Sequence, residues 1–208
     1  MNDILLAKIN SVGLNYKQYV DLTKQEIELQ NSGTVSEDAK KRSEDLKLNL
    51  HRMTRIEKYY VVSDELKVLI QKINLPQTWM IISETWCGDS AQNIPYIAKI
   101  ADLNSKINLK IILRDTNPEI MDKYLTNGTR SIPILAALDE EGEELFKWGP
   151  RPQEAKQLIA DLILQDVEKN IRVEKLHLWY GRNRGKNLEI EFMEILRSIT
   201  KSNQFVKL

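Results

Sequence analysis

A single cysteine, Cys87, stands among 208 residues, and that count alone excludes an intramolecular disulfide framework. The two histidines, His51 and His177, lie far apart and have no Cys or carboxylate partners at ligand spacing, so no metal site is expected and each reads as structural. Charge of one sign is not in excess. Thirty basic and thirty acidic residues cancel, which leaves no net field to draw the chain to nucleic acid or to an anionic membrane. Arg182, Arg184 and Lys186 form only a small basic cluster, with too few aromatics around it to stack on RNA, and read as a solvated loop. No apolar run approaches the length of a membrane span, and Met1 to Leu6 lacks the basic and apolar regions of a leader, so a cytoplasmic location is expected. Internal repeats and low-complexity tracts are also missing.

What is present is an apolar content of 42%, enough for a sizeable core. Most telling is where the cysteine falls. Thr78-Trp79-Met80-Ile81-Ile82-Ser83 suits a buried central strand, and from Ser90 onward Ile94, Ile97, Ala98 and Ala101 share one face of a helix. Cys87 therefore sits where strand hands over to helix, near free backbone N–H groups and the positive end of the macrodipole. Those terms pull a thiol from about 8.5 toward about 7, whereas Asp89, an anion two residues on, pushes it back up. A moderately lowered thiol pKa is the expectation, more so if Arg130 approaches the sulfur. Forty-six residues after Cys87, Pro133 opens the second apolar run Ile134 to Leu138, where a missing N–H is awkward.

The rest of the middle segment alternates as an α/β sheet requires. Leu109 to Leu113 reads as a strand, Pro118 to Leu125 as a short helix, Ile134 to Leu138 and Glu144 to Trp148 as a strand pair, and Pro152 to Leu164 as a covering helix. Before it, Asn15 to Gln30, Ser36 to Tyr60 and Asp64 to Ile73 read as helices, with Thr34 and Glu37 as a capping box and Asn31-Ser32-Gly33 as a break. After it come Asn170 to Trp179, a polar loop over Gly181 to Lys186, and Leu188 to Ile199. Trp148-Gly149-Pro150-Arg151-Pro152 reads as a strand end, a turn and a helix start.

Trp86-Cys87-Gly88-Asp89-Ser90 resembles the Trp-Cys-Gly-Pro-Cys motif of thioredoxins, Pro95 resembles the proline that kinks their first active-site helix, and Asp115-Thr116-Asn117-Pro118 resembles their Asp-x-Asn-Pro strand end. Gly128-Thr129-Arg130-Ser131-Ile132-Pro133 resembles the approach to their cis-proline, and Glu141 to Glu144 with Trp148-Gly149 their terminal hairpin. The resemblance implies a thioredoxin fold, a mixed sheet flanked by helices, over residues 75 to 165. Residues 1 to 74 then form a helical extension packed on that core, and residues 166 to 208 a mostly helical C-terminal one. More widely, Trp86 to Asp89, Ala91-Gln92-Asn93, Tyr124 to Gly128 and Trp148 to Pro152 resemble a bacterial thioredoxin-like group with helical extensions and one cysteine.

Ser90 stands where the resolving cysteine would be, Asp89 replaces the intervening proline, and Ile81 occupies the place of the family's buried acid. A mixed disulfide on Cys87 could not be resolved internally, because a hydroxyl cannot close a disulfide. The resemblance therefore implies a monothiol oxidoreductase or thiol-transfer protein with Cys87 as the reacting group. Trp86 would shield the sulfur, Ser90 would hydrogen-bond to the thiolate, and Gly88, Asp89 and Arg130 would complete its surroundings. Pro133, in a cis bond after Ile132, would face the sulfur and leave backbone groups of Ser131 and Ile132 to an extended substrate. No cofactor is implied; a low-molecular-weight thiol would be a co-substrate, and the partner a protein disulfide or thiol. The rival reading is a non-catalytic module that holds a peptide in the same groove. A third, a glutathione-ligated iron–sulfur carrier, follows from the similarity of Cys-Gly-x-Ser to monothiol glutaredoxins, but their preceding lysine and later Gly-Gly are missing.

Overall fold

The computed structural model describes residues 2–31 and 36–203. Its centre is a strand, β1 (Gln77–Ser83), whose residues from Trp79 on are buried. Odd and even side chains of a strand point to opposite faces, and both faces are apolar here, so the strand must be covered on both sides. Strand β2 (Ile107–Leu113) pairs parallel with it, β3 (Ile134–Leu138) antiparallel on its other side, and β4 (Glu144–Trp148) antiparallel to β3, giving the order β2-β1-β3-β4.

Trp79, Ile81, Ile111, Leu135 and Ala137 project to one face. There they meet Ile94 and Ile97 of the helix α5 (Gly88–Ala101), Met53 and Ile56 of α3 (Glu37–Tyr59), and Phe192 of the C-terminal helix α9 (Lys186–Asn203), whose ring meets Trp79 edge-on at 5.8 Å. Met80, Ile82, Ile112, Ile134 and Leu138 project to the other face, covered by Ile9 of α1 (Asn2–Val12) and by Ile120 and Met121 of the short α6 (Pro118–Met121). The outer edge of β2 is occupied as well. Leu14, between α1 and α2 (Tyr16–Asn31), exchanges both backbone hydrogen bonds with Ile111, which blunts an otherwise open edge.

The strands and long helices fall close to where hydrophobic period places them, and the differences lie at ends. Residues 64–73 form α4 only over Asp64–Ile70, and the helix begun by Pro118 stops at Met121 rather than Leu125. Ser36 caps α3, its hydroxyl accepting from the Ala39 N–H; Thr34, Ser32 and Gly33 lie outside the described residues. Helix α7 (Gln153–Leu164) packs through Ala155 on Leu176 and Tyr180 further along the chain. The supposed polar loop over Gly181 to Lys186 shrinks to a turn at Arg184 and Gly185, because α8 (Lys169–Asn183) continues to Asn183 and α9 begins at Lys186. Arg184 adopts the left-handed conformation that ends a helix, and Gly185 (φ +83°) presses on the Tyr96 ring, where any Cβ would sit 2.5 Å from Cε1.

Candidate active site

Cys87 follows β1 and occupies the N-cap of α5, with φ −76° and ψ 114°. Its Sγ takes the place of a capping oxygen, accepting the Ser90 N–H at 3.5 Å and donating to the Ile132 carbonyl at the same distance. Ile132 precedes Pro133 through a cis peptide bond, so the two motifs distant in sequence meet at the sulfur. Gly149–Pro150 is also cis. Trp86, partly buried, packs on the same apolar cluster as Cys87, and the Arg114 guanidinium lies 4.8 Å from its ring centroid. Arg114 and Asp115 form an ion pair.

Ser90 is fully buried and receives a hydrogen bond from the Ser83 hydroxyl at 2.8 Å. Ser83 in turn contacts the Tyr19 hydroxyl of the N-terminal extension at 3.0 Å. Both the hydroxyl and the N–H of Ser90 favour the thiolate, as expected of a helix start. They do not win. Cys87 is only 8% exposed, and burial, reinforced by the Asp89 carboxylate, pushes its thiol up rather than down. The expected lowering is thus reversed by desolvation, a quantity that motif spacing does not carry.

Arg130 is a second correction. Its guanidinium is exposed and makes two hydrogen bonds of 2.8 Å to Asp122, which hold it away from the sulfur on the surface beyond the cis-proline. The cation that does enter the site is Arg151. Its guanidinium binds Asp89 Oδ2 at 2.7 and 2.8 Å. Burial opposes that charge, but the carboxylate outweighs it and raises the arginine's pKa. Asp89 Oδ1 accepts the Tyr180 hydroxyl of α8 at 2.7 Å, and Asn93 donates to the same hydroxyl at 3.0 Å. Burial first, then Asp89, keeps Tyr180 protonated far into the alkaline range.

Gly88 completes this cover. A Cβ there would sit 2.9 Å from His177 Cε1, also on α8, so only glycine lets the helix lie this close to the motif. His177 Nδ1 lies 3.3 Å from the Gln92 amide. From the other flank Asn49 of α3 donates to the Thr85 carbonyl and holds Arg52 at 2.8 Å. Both helical extensions therefore reach the motif. The side of Trp86 is more open, with a pocket of about 290 Å³ lined by Asp38, Lys41, Arg42 and Asp45. Among the described residues no cluster of His, Cys, Asp or Glu could hold a metal, and no helix is long and apolar enough to cross a membrane.

A strand–Cys–helix junction facing a cis-proline across a β2-β1-β3-β4 sheet defines a thioredoxin-fold protein. The chain belongs to the thioredoxin family, whose model, described as Thioredoxin, matches residues 35–167. That match takes in α3 and α4 as well as the sheet. Among solved structures, the chain is similar to PA1234 of Pseudomonas aeruginosa, a protein of unknown function, at 18% identity and a TM-score of 0.59, covering 95% of this chain and 97% of that one. An HIV epitope-scaffold is similar to the same degree, at 18% identity and a TM-score of 0.58, covering 92% of this chain and 97% of that one. At this identity the likeness concerns the fold, and it extends over the helical regions at both ends. No curated protein is similar enough in sequence to count as a match.

Arg151, Tyr180 and His177 were the site residues that sequence reasoning passed over. Arg151 had a signal, a charged side chain locked between two prolines in Trp-Gly-Pro-Arg-Pro. Tyr180 and His177 had only helical spacing, three apart on one face of α8.

Proposed function

We propose that the protein is a monothiol thioredoxin-family protein that exchanges disulfides through Cys87, with the resolving thiol supplied from outside. The observation that carries this reading is the position of Sγ, at the α5 N-cap and 3.5 Å from the carbonyl that precedes cis-Pro133. In the first step the Cys87 thiolate attacks one sulfur of a protein disulfide. A Cys87–substrate bond forms, the substrate's S–S bond breaks, and the second substrate sulfur leaves as a thiolate. In the next step the thiolate of a low-molecular-weight thiol attacks the substrate sulfur of that mixed disulfide, which frees Cys87 as thiolate and leaves the small thiol joined to the substrate. No cofactor enters either step. Ser90 cannot shorten this route, and Ile81, buried and apolar against Leu135, offers no proton relay. A lone free thiol suits a reducing compartment, and we place the protein in the cytoplasm.

A second reading has its own support. The burial of Sγ and the upward shift of its pKa favour a non-catalytic module that binds a peptide beside Trp86. One experiment separates the two: recovery of partners from cell extract by the wild-type chain and by Cys87→Ser. Disulfide-linked partners enriched only by the thiol support exchange. Equal recovery by both, under reducing conditions, assigns the binding module.

A further inference from the structure

Two members of the basic cluster that reads as a solvated loop, Arg184 and Lys186, line a cavity. The turn between α8 and α9 lies against α3 and the far half of α5, and borders a half-open cleft of about 710 Å³, within the range of small-molecule sites. Its walls include the rings of Tyr59, Tyr60 and Tyr96, and three cations face it: Arg55, Arg184 and Lys186. Tyr60 and Tyr96 meet edge-on at 4.6 Å. Gly185 is what brings the cations there. Its flat contact on the Tyr96 ring carries Arg184 on one side and Lys186 on the other to the mouth of the cavity.

We propose that this cavity binds a small organic anion, a phosphate or carboxylate borne on a flat apolar body. Among the described residues the side chains of Arg55, Arg184 and Lys186 form no ion pair. Glu189 is the one carboxylate on the wall, and it is already engaged, accepting from the Tyr60 hydroxyl and from the Ser63 N–H at 3.1 Å. Three cations against one carboxylate leave a surplus of two positive charges. Arg55 and Arg184 line the same cavity as Tyr96, whose hydroxyl burial pushes up and both arginines pull down. Guanidinium pairs match phosphate and carboxylate oxygens, and tyrosine rings favour a flat partner over a hydrated ion. The site is separate from the thiol. Tyr96 lies nine residues after Cys87, about 13 Å along the helix axis.

The test is calorimetric titration of the full chain with phenyl phosphate, benzoate, inorganic phosphate and benzyl alcohol. Phenyl phosphate or benzoate should bind about tenfold tighter than the neutral alcohol and than inorganic phosphate, and weaken with salt. Whichever of the two binds better names the headgroup. Arg184→Asn, which tolerates the left-handed backbone, and Lys186→Gln, an exposed change that leaves the fold intact, should each weaken binding by about fivefold or more. The proposal is overturned if the alcohol or inorganic phosphate binds as well as the aromatic anions, if neither aromatic anion binds, or if Lys186→Gln and a folded Arg184→Asn bind like wild type.

Discussion

Mild acid should destabilise this protein through His177, and the size of the effect can be worked from the ring's surroundings. Burial holds the imidazole's pKa at about 4 against an ordinary 6.5, the Arg52 charge acts in the same direction, Asp89 opposes it and Arg151 adds to it. The folded pKa lies below the unfolded one. As pH falls from 6.5 toward 4 the unfolded chain takes up a proton that the folded chain refuses, so stability present at neutral pH is lost over that window. Those two values give a loss of about 1.8 kcal/mol between pH 7 and pH 5, and partial access of water to the ring reduces this to ~1 kcal/mol. Protonation also spoils a local contact, since Nδ1 can accept from the Gln92 amide only while it is neutral. Urea-unfolding midpoints of wild type and His177→Gln at both pH values measure the effect. The difference between the two proteins reports on the histidine and the charges it faces. If His177→Gln loses as much stability as wild type between pH 7 and 5, the buried neutral imidazole is not what ties α8 to the site.

Further outcomes follow from the same geometry. Alkylation of Cys87 at pH 7 should be slower than that of a free cysteine, whose thiolate fraction is about 3%; stopped-flow rates should rise in Asp89→Asn, which removes a charge opposing the thiolate, and fall in Arg151→Gln. Gly88→Ala drives a methyl into His177 and should cost roughly 1–3 kcal/mol by denaturant unfolding, with the loss relieved in a Gly88→Ala, His177→Ala double variant. Ser90→Cys puts a second sulfur one turn from the first, and free-thiol titration after mild oxidation should then find both thiols consumed.

The sheet was legible because its central strands β1 and β3 are apolar on both faces and its strands are bounded by glycine, proline and asparagine. Ile134–Leu138 and Glu144–Trp148 begin and end where the pattern does. The sulfur's meeting with the cis-proline segment was legible too, since a proline opening an apolar run has few other uses. What failed was the placement of the charged side chains around the sulfur and the degree of its burial. Arg130 stands three residues from Pro133 yet turns outward to Asp122, while Arg151, further along the chain, turns inward to Asp89. Local spacing says nothing about that choice. The thiol pKa failed for the same reason: its helix-start terms are local and were correctly signed, but the burial that overrides them comes from segments distant in sequence, since Cys87 shares its apolar cluster with Ile9, Tyr124 and Ile132.

Asp89 joins two features that look unrelated in the sequence. The residue that departs from the family motif, Asp89 in place of proline, is also the residue that fastens the C-terminal extension. Its carboxylate sits in the first turn of α5, where an anion favours the helix dipole, and its two oxygens divide their work: one holds Arg151 ahead of α7, the other holds Tyr180 on α8. Proline at this position could do neither. Helix α8 also packs on α7 through a small apolar cluster of Leu176 and Tyr180 with Ala155, flanked by Ile159 and Trp179. The same carboxylate also raises the thiol's pKa through its charge. The aspartate and the extension therefore act together, and a chain that lost α8 would keep the Asp89–Arg151 ion pair but leave Oδ1 without the Tyr180 hydroxyl.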